Sequence, residues 1–277
     1  MKQFLLSAIC AASILMAEAQ QLKTPQPSTT QTVKQDFGLG SIELSYSRPN
    51  MKGRKIFGDL VPFDKVWRTG ANGATTLTFT DEVTIGGTKI PAGKYGLLTI
   101  PSATEWTVII SKQTDVTSPS AYKKEMDVVR VMAKPMTLPW SFETFGISIE
   151  NVKDNSCELM MAWDKTLIAF PITTDVDGKV MKQIETMMKN DSRPYFSAAA
   201  YYAENGKDLG QAVAWFDKAI EQNPKAFWIY YQKAKALAKQ GKKSEAIAVS
   251  MKSMELAKEA KNDDYVALNE KLQKDIK

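Results

Sequence analysis

From about Thr32 the chain alternates polar and apolar positions, the period of a strand with one face buried. SIELSYS at residues 41–47 places Ile42, Leu44 and Tyr46 on one side. ATTLTFT at 74–80 does the same with Leu77 and Phe79 among threonines. Residues 82–85 run into Gly86-Gly87, a hairpin signal because a two-residue turn favours residues that tolerate positive φ, and TKIPAGKY follows. Further strands are expected at 95–100, 106–111, 128–138, 142–152, 157–163 and 167–172, with one short helix at 118–126. Many short strands parted by Gly, Pro and Asp, with little helical signal, predict an antiparallel sandwich or barrel.

From about Lys179 the period becomes helical. Helices are expected at 179–189, 194–204, 209–222, 225–239, 244–260 and 264–276, with breaks at Gly206, Asn223-Pro224 and Gly241. Ala212, Phe216, Ala219 and Pro224 fit A-x3-F-x2-A-x4-P, the second-helix signature of a tetratricopeptide unit. Ala246 follows Ala212 at the 34-residue period of that repeat, and Tyr230, Leu237 and Gly241 take first-helix and turn positions. The second copy has Ser250 where Phe216 stood. Two copies are fewer than the usual three, so the helices are expected to pack on one another and on the β domain. They would act as a groove for a protein partner or as a structural cap. The expected fold is an antiparallel β-sandwich-like domain over 31–175, followed by an α-helical tetratricopeptide-like domain over 178–277.

The first residues, MKQFLLSAICAASILMAEAQQ, change the compartment. Lys2, an apolar run over 4–16 and Ala17-Glu18-Ala19 have the layout of a cleaved export signal over 1–19. The run is too short to span a bilayer, and no later stretch approaches ~18 apolar residues, so no membrane span is expected. Ile9 before Cys10 does not suit lipidation. Cleavage near Ala19 would leave a periplasmic or otherwise exported chain with a polar, Pro-rich lead-in at 20–30.

Composition then removes whole chemistries. The chain has no His, and Cys157 alone remains once Cys10 leaves with the signal. Ser-His-Asp and Cys-His catalysis, His-ligated metals and structural zinc are thereby excluded. An internal disulfide is excluded too, and Cys157, inside CELMMAW, reads as a small buried hydrophobe. Catalysis would need carboxylates, Lys, Tyr or an oxygen-ligated cation. No cofactor or metal is expected. The net charge of +5 in an exported chain points to anionic envelope polymers, lipid headgroups or plain solubility, not to nucleic acid. The tail from Lys225 onward holds twelve Lys against seven acidic residues, which reads as a solvated face or a weak anionic contact.

The densest chemistry lies at 47–75, SRPNMKGRKIFGDLVPFDKVWRTGANGAT, where Gly and Pro rule out a regular helix or central strand. This segment, with IGGTKIPAGKYGLL and EWTVIIS, resembles the bacterial family called domain of unknown function 2911, over roughly 35–173. The resemblance implies an exported protein of a kind found mainly in Bacteroidetes, often with a helical tail. It implies no established enzyme activity.

Within the segment, Trp67, Arg68 and Asn72 have the makings of a ligand clamp: a flat apolar face, a planar donor fork and an amide. The alternative is that Trp67 is core and Arg68 pairs with Asp59 or Asp64. Arg48, Lys52, Arg54 and Lys55 would form an anion-attracting patch near Arg68, or a solvated loop. Tyr95 is a ligand contact or a half-buried sheet residue. Glu43, Asp59, Asp64 and Glu105 would have to face one another to run glycoside hydrolysis. The function expected is a non-catalytic exported module for a small polar or anionic ligand, glycans included, with a helical region for a protein partner. The alternatives are a carboxylate-dependent hydrolase of envelope sugars and a structural scaffold.

Overall fold

The structure is a computed structural model and describes residues 24–189 and 193–276. The expected export signal at 1–19, with the start of the lead-in, lies outside the described residues. The chain divides between Thr174 and Asp175 into two compact units.

The described residues of the first unit form ten strands: β1 Thr29–Phe37, β2 Gly40–Arg48, β3 Thr76–Phe79, β4 Val83–Ile85, β5 Thr88–Ile90, β6 Gly93–Ile100, β7 Trp106–Ser111, β8 Asp127–Ala133, β9 Met136–Glu150 and β10 Ser156–Thr173. They form a six-stranded sheet, β1-β2-β3-β6-β7-β8, and a four-stranded sheet, β5-β4-β10-β9, with every pairing between these strands antiparallel. The inward side chains of both sheets make one core. Ile42, Leu44 and Tyr46 of β2 meet Phe145 and Ile147 of β9 and Leu159, Met161 and Trp163 of β10 there. Alternation, read as one buried face per strand, is what this architecture needs.

Four elements differ from the sequence expectation. β1, over Thr29–Phe37, is a strand outside the expected set; it takes in the last two residues of the expected lead-in and pairs with β2 along its whole length. β10 is one strand of eighteen residues, not two. The polar pair Asp164-Lys165 is absorbed as register shifts against β9, with Asp164 in the left-handed region at φ 50°. Residues 128–138 are not one strand. Pro135, without an N–H, parts β8 in one sheet from β9 in the other. The expected helix at 118–126 is a pair of 3₁₀ turns, Pro119–Ala121 and Lys124–Met126, inside a strap over 112–126. The strap seats Val116 on Leu98 and Ile109, on the outer face of β6 and β7. That is why GKYGLLTI and WTVIIS do not alternate: both of their faces are covered. The Gly86-Gly87 hairpin forms as expected, with φ of 55° and 77°.

The described residues of the second unit form six helices: α1 Val176–Met187, α2 Tyr195–Glu204, α3 Leu209–Gln222, α4 Phe227–Lys239, α5 Lys243–Glu259 and α6 Asp263–Ile276. The tetratricopeptide signature residues Ala212, Phe216, Ala219 and Ala246 are all buried. Gly241, at φ 78°, ends α4 in a position that favours glycine. Ser250 is a polar anchor, not a gap. It donates to Asn269 Oδ1 at 2.9 Å and accepts from Gln273 Nε2 at 3.1 Å. Asn269 donates to Ser253 Oγ at 2.9 Å, and Ser253 donates to the Phe227 carbonyl at 2.7 Å. Tail lysines are engaged as well: Lys233 pairs with Asp217, Lys252 with Glu255, and Lys239 donates to the Ala203 carbonyl. Among the described residues no helix is long and apolar enough to cross a membrane.

Candidate functional site

β3 is only four residues long, so the far half of β6 needs another partner. The basic loop supplies it. Leu97 N–H donates to the Thr75 carbonyl at 2.9 Å. Trp67 and Thr99 exchange both main-chain bonds, at 2.7 and 3.0 Å. This bridge sets the loop's side chains by strand alternation. Trp67 turns into the core, stacked on Trp163 at 6.0 Å and 18°, with Phe145 at 5.0 Å, and its Nε1–H donates to the Gly70 carbonyl. Val66 and Arg68 turn to the opposite face, toward the strap.

Beside this loop opens a cavity of about 520 Å³. Leu60, Val61, Pro62, Trp67, Pro119 and Trp163 give it mainly apolar walls, and Arg54, Lys65 and Arg68 line it as cations. Among the described residues no Asp or Glu lines it. Arg68 Nη1 donates to the Thr117 carbonyl of the strap. Its Nε is buried and has no hydrogen-bond partner. Nε and Nη2 form the side-on edge of the guanidinium fork, the edge that pairs with carboxylate or phosphate. Arg54 is pinned by Nε to the Met51 carbonyl at 2.9 Å and by Nη2 to the Asn50 carbonyl at 2.7 Å.

The remaining candidates are placed elsewhere. Asn72 Nδ2 donates to the Ser28 carbonyl at 3.0 Å, tying the loop to the start of β1. Arg68 meets Thr117, while Asp59 is exposed and Asp64 sits in a left-handed turn whose N–H donates to the Pro101 carbonyl. Arg48 is held apart from the Arg68 cavity. Its Nε donates to the Phe145 carbonyl at 3.0 Å, and it lines a different cavity beside Tyr46 and Phe142. Lys52 and Lys55 are exposed, and Lys52 meets Glu143 through its main-chain N–H. Tyr95 is buried with its hydroxyl donating to the Pro91 carbonyl at 2.9 Å. Glu43, Asp59, Asp64 and Glu105 are exposed, and none lines the Arg68 cavity. Cys157 is buried in the core, and burial pushes its thiol up to about 11.

Trp163 and Pro119 are wall residues that local reasoning does not reach. The inward parity of CELMMAW places Trp163 in the core, but nothing in that string says it stacks on Trp67. Pro119 enters only because the strap crosses the sheet.

The strap has its own latch. Tyr122 hydroxyl donates to Asp127 Oδ2 at 2.6 Å, and Arg130 Nε donates to the same oxygen at 2.8 Å. Burial first, then the hydrogen bond and charge of Asp127, raise the Tyr122 phenol from 10.0 to about 12, against the opposing pull of Arg130. A phenol with a raised folded pKa stabilises the fold fully below its unfolded value and loses that contribution as pH rises through the folded one. Wild-type protein should therefore lose stability between pH 10 and about 12 more steeply than Tyr122→Phe does in alkaline unfolding curves. Parallel curves for the two proteins would mean that this latch does not titrate there.

Among the described residues no group of three or more Cys, Asp or Glu is placed to hold a metal ion. Two family models match the chain. One, described as Protein of unknown function (DUF2911), spans residues 28–172, just over half of the sequence. The other, a tetratricopeptide repeat, spans 215–248, from within α3 into α5. No curated protein and no solved structure matches.

Proposed function

The chain belongs to the DUF2911 family, and we propose that its β unit is a non-catalytic receptor for a small anionic ligand taken into the Arg68 cavity. The helical unit, carrying the tetratricopeptide match, would serve protein contacts. The setting we propose is the cell envelope, from the export pattern at the amino terminus. One observation carries the reading: among the described residues three cationic side chains line one cavity without a carboxylate, and the buried Nε of Arg68 has no partner. A buried donor left unmade costs about 1–3 kcal/mol, and an anion on the side-on edge would satisfy it. Backbone strain in the same loop supports the reading. Thr69, β-branched and fully buried, is held at φ 55° by bonds from Thr75 Oγ1 to its carbonyl and between its hydroxyl and Thr99. Such outliers collect at binding sites because the surrounding structure must over-determine them.

The test is a thermal-shift screen of wild type and Arg68→Gln with carboxylates, phosphosugars, nucleotides and sulfated glycans. A ligand at ~100 times its Kd adds about 2.7 kcal/mol if it binds only the folded state, a shift of several degrees in a unit of this size. The shift should appear in wild type and vanish in Arg68→Gln. An equal shift in both proteins would place the ligand somewhere else.

A further inference from the structure

We infer that the ligand of this cavity is an amphipathic organic anion, an apolar aliphatic or aromatic body with one acidic head, and not a sugar. This rests on the anion-receptor reading and narrows it. The cavity's charged side chains are all donors: Arg54, Lys65 and Arg68 accept nothing. Ser28 contributes its single hydroxyl. Five main-chain carbonyls along the wall already accept one bond each. Pro49 accepts from Phe145, Val61 from Gly58, Trp67 from Thr99, Gly70 from the Trp67 indole, and Pro119 from Tyr122. A sugar presents hydroxyls that donate as well as accept, and the charged lining side chains offer no acceptor for those protons, so each hydroxyl left unpaired would cost on the order of tenfold in affinity. A carboxylate or phosphate only accepts, which matches a set of donors.

The rest of the wall suits the rest of such a molecule. The Trp67 indole N–H is spent on Gly70, so its ring offers only apolar surface, continued by Trp163, Pro62, Pro119 and Leu60. Leu60 is 41% exposed, a large apolar side chain left open at the rim. The volume of about 520 Å³ falls in the range of small-molecule sites. The head would lie on the Arg68 side-on edge within the field of Lys65 and Arg54, and the body along the indoles.

Calorimetric titration of the full chain separates the alternatives with five probes. Octanoate and octyl phosphate compare the two acidic heads. Octanol lacks the head, glucose 6-phosphate lacks the apolar body, and maltose is a neutral sugar. One of the first two should bind at least tenfold tighter than the other three. From hexanoate to decanoate, affinity should rise about fourfold per methylene until the cavity is full. Arg68→Gln should weaken binding tenfold or more. Lys65→Gln, which removes an exposed cation, should weaken it severalfold with the melting temperature unchanged. Glucose 6-phosphate binding as tightly as octanoate would leave the anion receptor standing and overturn the amphipathic ligand. Maltose binding would overturn it too. Octanol matching octanoate, affinities unchanged in both variants, or no binding by any probe would overturn the inference and the receptor reading together.

Discussion

Trp67→Ala should lower the stability of the β unit by roughly 3 kcal/mol, the low end for a large aromatic removed from a core because Trp67 is only half-buried. At about 2–4 °C per kcal/mol, its calorimetric transition should fall by about 6–12 °C. The ring touches Phe57, Trp106, Phe145 and Trp163 within 6.5 Å between centroids, so its loss opens a space that four aromatics border. It also frees the Gly70 carbonyl and removes the pair stacked at the cavity wall. Trp67→Phe keeps an aromatic ring there and should recover more than half of the loss. A fall of under 2 °C for Trp67→Ala would mean that the ring is not part of the core. Because the ring both supports the fold and lines the cavity, reduced binding in Trp67→Ala is not by itself a sign of ligand contact. Trp67→Phe, if it melts near wild type, is the variant whose affinity can be interpreted.

Gly96→Ala is expected to cost about 2 kcal/mol or more and to weaken ligand binding at a distance. Gly96 pairs with Thr76 on one side and Ser111 on the other. A Cβ there would lie 2.1 Å from the Gln113 carbonyl oxygen and 3.2 Å from its carbon. The obstacle is backbone, so no side chain can swing aside, and the first residues of the strap must move. The strap carries Thr117, which holds Arg68, and Pro119, which lines the cavity. Amide exchange of residues 112–126 should therefore accelerate more than that of β2 or β10. Gly73→Ala is the control: a Cβ there meets nothing within 4 Å, and stability should stay within about 0.5 kcal/mol. Wild-type exchange rates across the strap in Gly96→Ala would show that β6 shifts to accommodate the methyl and leaves the strap in place.

The strands at 41–47 and 106–111, the Gly86-Gly87 hairpin and all six helices were legible because each rests on neighbours a few residues apart. So was the helix signature at Ala212, Phe216 and Ala219, whose burial follows from helical period alone. The extent of β10 was not. Asp164-Lys165 reads as a turn, and only pairing with β9 carries the strand through it as an irregularity. The role of Ser250 was equally hidden, since its partners Asn269 and Gln273 stand on the next helix.

For the site, sequence by itself determined the loop: a basic, Gly- and Pro-punctuated run with Trp67-Arg68 at its centre, in a chain whose lack of His removes Ser-His-Asp and Cys-His catalysis. Tertiary structure alone decided which of its side chains share a cavity. Arg54, Lys65 and Arg68 do, with Trp163 and Pro119 from distant segments, while Arg48 turns to Phe145 and Tyr95 to Pro91. The physical reason is that a loop has no period of its own. Its side chains point where long-range hydrogen bonds hold its backbone and tips. Here those partners are Thr99, Thr117 and Ser28, which no local pattern can identify.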